Sequence, residues 1–167
     1  MHRFFECIIH IAYRLEFKTW RKPANAIEKK KIYERKAKKH SDFRKKMGLG
    51  IDMPKTGSSG STNDGNTARR AFRNPNLYSE ITGVEKELII RLRIILLVIN
   101  LNHKISIASF IIYLRETAEF HVRIYKWFYM PVSLHKILVH GHLIISSFSL
   151  PIGIYSEEAQ ESRNTNQ

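Results

Sequence analysis

Apolar side chains recur at steps of three and four residues along most of this chain, which is the period of a helix with one buried face. Near the N-terminus, four residues share such a face: Phe4, Ile8, Ile11 and Leu15. The same pattern predicts helices over residues 84–101, 106–125 and 131–148. No convincing hairpin signal and no internal repeat accompanies them. We therefore predict an all-α fold.

Residues at the ends and on the faces of these helices refine the prediction. Thr82 is a possible N-cap for the helix over 84–101, and Pro131 suits the first turn of the helix over 131–148. The buried face of the helix over 106–125 is predicted to consist of Ile107, Ile111, Leu114, Ala118, Val122 and Tyr125. Ser156 is a candidate cap for a final helix that carries Glu157 and Glu158 in its first turn.

Charge is the strongest compositional signal. The 167 residues contain 28 Lys and Arg against 15 Asp and Glu, which gives a net charge of +13. Most of it lies between residues 14 and 46, and residues 27–46 lack Pro and Gly, so they predict a basic, solvent-exposed helix. Such a helix is either a solvated face, a nuclear localisation patch or a phosphate-binding surface. Its candidate DNA-binding residues are Lys29, Lys30, Lys31, Arg35, Lys36, Lys38, Lys39, Arg44, Lys45 and Lys46.

A second basic feature follows a loop rich in Gly and Ser over residues 48–66. Asn63 and Asp64 are candidate N-caps of a short helix that begins near residue 66. Three further DNA-binding candidates lie on or beside it: Arg69, Arg70 and Arg73. A helix start beside guanidinium groups attracts phosphate. The segment lacks the GK[ST] ending of a P-loop, so it gives no support for nucleotide hydrolysis.

Two classes of protein are disfavoured. The single cysteine, Cys7, excludes an intrachain disulfide framework and a zinc site built on CxxC pairs, and a reducing intracellular setting is expected. The most apolar stretch, residues 88–101, contains Arg91 and Arg93, and its unbroken apolar run, residues 94–99, is far shorter than the ~20 residues of a membrane-spanning helix. We therefore predict no membrane span.

Histidines and glutamates near the C-terminus are candidates for metal chemistry. His135, His140 and His142 lie within eight residues, but an i, i+5 pair converges on one metal only if the helix ends or opens near Gly141. Scattered surface histidines are the alternative. Glu158 and Glu161 share a helical face, where a surface pair with Arg163 is the simpler interpretation.

Five features occur in order: RKKMGL, NDGNTARRAF, the apolar helices, LHKILVHGH and SEEAQESRN. In this order and at these separations they resemble the C-terminal part of the catalytic subunit of the V(D)J recombinase. They are equally similar to its transposon relatives, the Transib- and ProtoRAG-type transposases. The resemblance extends more loosely to FFECIIHIAY and the basic helix.

The resemblance implies a helical insertion domain of an RNase H-like DDE recombinase, in which two aspartates and one glutamate hold Mg²⁺ for DNA cleavage and strand transfer. Glu161 matches that glutamate and magnesium ligand, with Glu158 as runner-up because the motif here has one extra residue. His135 and His140 match two zinc ligands. Both aspartates and the two zinc cysteines would precede residue 1. We therefore expect a fragment with an incomplete zinc site and no nuclease activity of its own.

The predicted organisation is an apolar helix and a basic helix (1–47), a flexible loop (48–65), a helical zinc-binding-like insertion (66–153) and the start of a helix carrying the catalytic glutamate (154–167). The resemblance implies a nuclear location, DNA as partner, and a homodimer that binds an accessory subunit in some members. Two alternatives remain: a non-catalytic helical module that binds nucleic acid or protein, and a basic protein associated with a membrane surface.

Overall fold

The fold was obtained as a computed structural model that describes residues 2–54, 62–100 and 105–147. Over these residues the chain forms seven helices and no strand, which confirms the all-α prediction for this part of the protein. The helices are α1 (His2–Arg14), α2 (Ala26–Met47), α3 (Gly65–Arg73), α4 (Pro75–Thr82), α5 (Lys86–Ile99), α6 (Ile107–Ile124) and α7 (Val132–Ser147). None of these described helices has both the length and the apolar composition needed to cross a bilayer.

Helix α1 lies at the centre of the core. It is buried on nearly all sides, and α2, α3, α4 and α7 pack against it. The predicted face of Phe4, Ile8 and Ile11 is buried, but so are Phe5 and Ile9 on other sides of the helix. The remaining helices form a chain of neighbours, with α4 on α5, α5 on α6 and α6 on α7.

An aromatic cluster joins four helices. The ring of Tyr78 in α4 contacts Phe5 of α1, Phe43 of α2 and Phe72 of α3, with centroid distances of 5.9, 5.8 and 5.4 Å. Phe43 is the buried residue of α2, so this cluster is what attaches the basic helix to the core. Offset and edge-on aromatic pairs of this kind add to the stabilisation that burial alone provides.

The structure contains one helix, α4, that the apolar pattern did not predict. Asn74 caps it by accepting a hydrogen bond from the Leu77 amide, and Pro75 lies in its first turn. It ends at Gly83, whose φ of +75° is the left-handed conformation that favours glycine. The prediction that Thr82 caps the next helix is therefore wrong. Thr82 ends α4, where its buried hydroxyl donates to the Tyr78 carbonyl and accepts from the Val84 amide.

The buried face of α6 also differs from the prediction. Ser106 caps this helix, and of the predicted face Ile107 and Val122 are 39% and 54% exposed. The buried residues are Phe110, Leu114, Thr117 and His121. Two of these four residues are polar. The buried face that was predicted from apolar residues alone is therefore rotated relative to the buried face in the structure. The predicted final helix with Ser156, Glu157 and Glu158 lies outside the described residues.

Candidate nucleic-acid interface

The basic helix α2 is defined at both ends by local hydrogen bonds. The Asn25 side chain accepts from the Glu28 amide at 2.9 Å, and the Glu28 carboxylate accepts from the Ala24 amide at 2.8 Å. At the other end, Gly48 has a φ of +63° and its amide donates to the Arg44 carbonyl. The Gly48 bond is that of an αL C-cap, and the Leu49 amide donates to the Phe43 carbonyl. The helix is one residue longer at each end than predicted.

Several of the predicted DNA-binding cations of α2 instead bind the protein itself. Arg35 donates to the Ala12 carbonyl at 2.9 Å and pairs with Glu16. Lys39 donates to the Ile81 carbonyl, and partial burial, with the nearby Arg35 charge, lowers its pKa. These side chains hold α2 against α1 and α4. Charge that is engaged in this way contributes less to binding an external phosphate.

Lys46 and Lys36 also contact other side chains of the protein. Lys46 pairs with Glu80 of α4, and its hydrogen bond to that carboxylate raises the lysine pKa. The Lys36 ammonium lies 4.7 Å from the centre of the Tyr13 ring, a cation–π contact.

An exposed row of cations also runs along α2, and we call it the lysine stripe: Lys31, Lys38 and Lys45. Its members are seven residues apart, so they share one side of the helix at intervals of about 10.5 Å. Within residues 2–54, 62–100 and 105–147, no ion pair involves any of the three. The other predicted cations of α2 are also exposed: Lys29, Lys30 and Arg44, with Lys30 4.0 Å from Glu34.

The second predicted basic group lies next to the C-terminal end of α2. Of the two candidate N-caps of α3, Asn63 and Asp64, Asp64 is the one that caps the helix. One Arg70 guanidinium nitrogen lies 3.4 Å from both the Met47 and Gly48 carbonyl oxygens. This contact brings the guanidinium of α3 to the end of α2 that carries Arg44 and Lys45.

Arg69 and Arg73 line a groove between α3 and α5 together with Arg93 of α5. The groove has a volume of about 390 Å³, and its lining includes Phe72 and Leu97. The cations of the two predicted basic groups therefore form two connected regions, one on α2 and one between α3 and α5.

The described ends of the Gly/Ser-rich loop are held by specific contacts. The Asp52 amide donates to the Asn63 side chain at 2.9 Å, and the Thr62 amide donates to the Met53 carbonyl at 2.9 Å. Asp52 also accepts a 2.8 Å hydrogen bond from the Tyr13 hydroxyl, which lies 2.7 Å from the His40 ring. Residues 55–61 lie outside the described part.

The two predicted zinc ligands lie side by side. The His135 and His140 rings are in edge contact with centroids 5.6 Å apart, and both side chains are exposed. The helix neither ends nor opens near Gly141, since α7 continues to Ser147, and convergence of the two histidines on one metal stays a prediction. The side chains are long enough for the rings to meet over the helix surface.

Two histidines supply half of the ligands of a tetrahedral zinc site. Over the described ranges, no group of three or more His, Cys, Asp or Glu side chains is placed to hold a metal. The described residues therefore do not complete a zinc site. Glu161, the predicted magnesium ligand, and Glu158, its runner-up, lie outside the described residues.

No protein-family model matches the chain, and no curated protein is significantly similar to it. Its function must therefore be inferred from its own residues.

Sequence reasoning missed the cluster of Tyr13, His40 and Asp52. These residues are 27 and 39 positions apart, so no local pattern connects them. It also missed that Lys29, Ile32, Tyr33 and Lys36 share one face of α2. Their i, i+3, i+4, i+7 spacing is a signal that could have been found in the sequence.

Proposed function

We propose that this protein is a helical DNA-binding module and that the lysine stripe of α2 contacts the phosphate backbone. The observation that supports it best is the division of the α2 cations. Arg35, Lys39 and Lys46 are engaged with α1 and α4, whereas the stripe residues are exposed and form no ion pair within the described residues. Contacts of this kind position a protein on DNA without reading its sequence.

The charge distribution also favours a polyanion. Arg70 extends the basic surface from the end of α2 onto α3, and the groove beyond it is lined by Arg73 and Arg93. Along a duplex, phosphates of one strand follow each other about every 3.4 Å of axis. The stripe residues, about 10.5 Å apart, therefore each reach a different phosphate.

We further propose that the module derives from a protein related to the V(D)J recombinase catalytic subunit and the Transib-type transposases. The support is the order of its five features in the sequence. A nuclear location and zinc binding by His135 and His140 belong to this proposal as well. Catalysis does not, because the chain holds no candidates for the two aspartates. Incubated with Mg²⁺ and supercoiled plasmid, the chain should leave the plasmid intact.

The DNA-binding proposal is tested by the salt dependence of binding to a short fluorescein-labelled duplex, measured by anisotropy. Each phosphate contact adds about 0.9 to the slope of log affinity against log salt. The triple variant K31Q/K38Q/K45Q should therefore reduce that slope by about 2.7.

The matched control is K86Q/R115Q/K136Q, which removes three exposed cations from α5, α6 and α7. It lowers the net charge by the same amount but should change the slope by less than about 1. Equal losses in the two triple variants would show that only net charge matters. Absence of DNA binding by the unmodified protein, together with binding to anionic vesicles, would favour the membrane-surface alternative.

A further inference from the structure

A cleft separates α1 from the first half of α2, on a different side from the lysine stripe. It has a volume of about 290 Å³. One wall of the cleft is formed by α1 and the other by α2, and the residues on each wall have helical spacing. The α1 wall consists of His10, Tyr13 and Arg14, and the α2 wall includes Lys29, Tyr33 and Lys36. We call this feature the α1–α2 cleft.

The lining of the α1–α2 cleft is positively charged. It contains three cations, and the described residues that line it include no carboxylate. Lys29 lies in the first turns of α2, where the helix dipole also favours an anion. The Arg14 guanidinium is fixed by a 2.7 Å hydrogen bond to the Arg21 carbonyl and lies 5.3 Å from the Trp20 ring centre. The charges that line the α1–α2 cleft therefore favour the binding of a small anion.

Aromatic surface is the second property of the cleft. Tyr33 is 64% exposed, so one face of its ring is open to a stacking partner. Tyr13 is buried and held by Asp52 and His40, and the Lys36 ammonium lies 4.7 Å from the centre of its ring. Burial, followed by the Asp52 charge, raises the pKa of Tyr13, so its hydroxyl stays neutral. This arrangement positions Lys36 at the wall of the cleft.

We infer that the α1–α2 cleft binds one phosphorylated nucleotide, with Lys29 and Lys36 on the phosphate and Tyr33 against the base. Stacking on an aromatic ring beside a cationic backbone site is the usual way in which proteins hold unpaired nucleotides. The volume is close to the small end of ligand pockets, about 300 Å³, which suits a nucleotide and excludes a duplex. The source of this nucleotide, the 5′-phosphorylated end of a DNA strand, rests on the proposed function.

Calorimetric titration with thymidine 5′-monophosphate tests the site. We expect saturable binding, and binding of thymidine or inorganic phosphate that is at least about tenfold weaker, because each lacks one of the two recognised groups. K29Q, K36Q and Y33A should each weaken the binding of thymidine monophosphate by about tenfold. Y33F, which keeps the ring, should bind like the unmodified protein.

K38Q is the matched control, since it removes the same charge from the exposed side of the same helix. It should leave nucleotide affinity unchanged. Thermal unfolding of each variant separates loss of the fold from loss of the site. Absence of saturable binding, or equal weakening by K36Q and K38Q, would overturn the inference.

Two further comparisons identify the source of the phosphate. A 5′-phosphorylated oligonucleotide should compete with thymidine monophosphate at least about tenfold better than its 5′-hydroxyl form. Vesicles containing phosphatidic acid should not compete. Competition by the vesicles alone, or no advantage of the 5′-phosphate, would contradict a DNA end as the ligand.

The cleft and the lysine stripe are separable by mutation. The variant K31Q/K38Q/K45Q should lose duplex binding but still bind thymidine monophosphate. The variant K29Q/K36Q should lose thymidine monophosphate binding but keep most of its duplex binding. Nucleotide binding without duplex binding would leave the cleft valid and reject the proposed function. The reverse result would reject the cleft alone.

Discussion

His121 should make the protein sensitive to mild acid. The residue lies in α6 with 0% of its surface exposed, and neither ring nitrogen has a hydrogen-bond partner in the described part of the chain. The rings of Tyr125 and Phe128 lie 6.0 and 6.1 Å from its own. Burial lowers the pKa of His121 from 6.5 to about 4. The imidazole is therefore neutral in the folded protein at neutral pH.

The direction of the pH effect follows from proton binding. Between pH 6.5 and pH 4 the unfolded chain protonates this histidine while the folded protein does not, so acid stabilises the unfolded state. With these two pKa values, His121 should lower the free energy of unfolding by about 2 kcal/mol at pH 5, relative to pH 7. At pH 4 the loss should reach about 3 kcal/mol.

Urea unfolding at pH 7 and pH 5 measures this effect when H121L is compared with the unmodified protein. Burial also lowers the pKa of His10, so the unmodified protein carries more than one acid-sensitive group, and the difference between the two proteins isolates His121. We expect H121L to lose about 2 kcal/mol less stability between the two pH values. H135Q, which changes an exposed histidine of α7, should keep the full pH dependence.

The reasoning is wrong if H121L and the unmodified protein lose the same stability on acidification. A second check is available at pH 7, where H121L removes two buried nitrogens that have no partner in the described residues. Its stability at that pH should equal or exceed that of the unmodified protein.

Other consequences of the fold can be measured directly. Phe43→Ala should lower the free energy of urea unfolding by about 3–5 kcal/mol, because it removes the aromatic ring that attaches α2 to the core; a loss under about 1 kcal/mol would mean that α2 is held mainly by its ion pairs. Asn25→Ala should cost about 1 kcal/mol through loss of the α2 cap, and unchanged stability would show that this cap is dispensable. Burial raises the pKa of Cys7 to about 12, so Ellman's reagent should react with it only after unfolding, and rapid labelling of the folded protein would contradict its buried position.

The sequence was a good guide where a local signal was strong. Helix α2 was predicted to within one residue at each end, because residues 27–46 are good helix formers without Pro or Gly. Asp64 was a candidate N-cap by its residue type, and it caps α3.

The sequence failed where the decision depended on tertiary contacts. Most positions of α2 are polar and cations occur all around the helix, so its pattern did not show that Arg35 and Lys39 contact α1 and α4 while Lys31 and Lys38 are exposed. The site was therefore predicted as a set of cations without its division into packed and exposed faces. The α1–α2 cleft needed the same information, because its two walls come from separate helices.

The central position of α1 has a consequence for how the chain folds during synthesis. This helix is synthesised before the other six described helices, yet its partners include α3, α4 and α7, which are made 50 to 130 residues later. Until α7 is complete, a segment whose side chains are apolar on nearly every side has no finished core to enter. Contacts between chain segments this distant also slow folding, because a long loop must close before they form. The nascent protein should therefore depend on chaperones that bind exposed apolar segments.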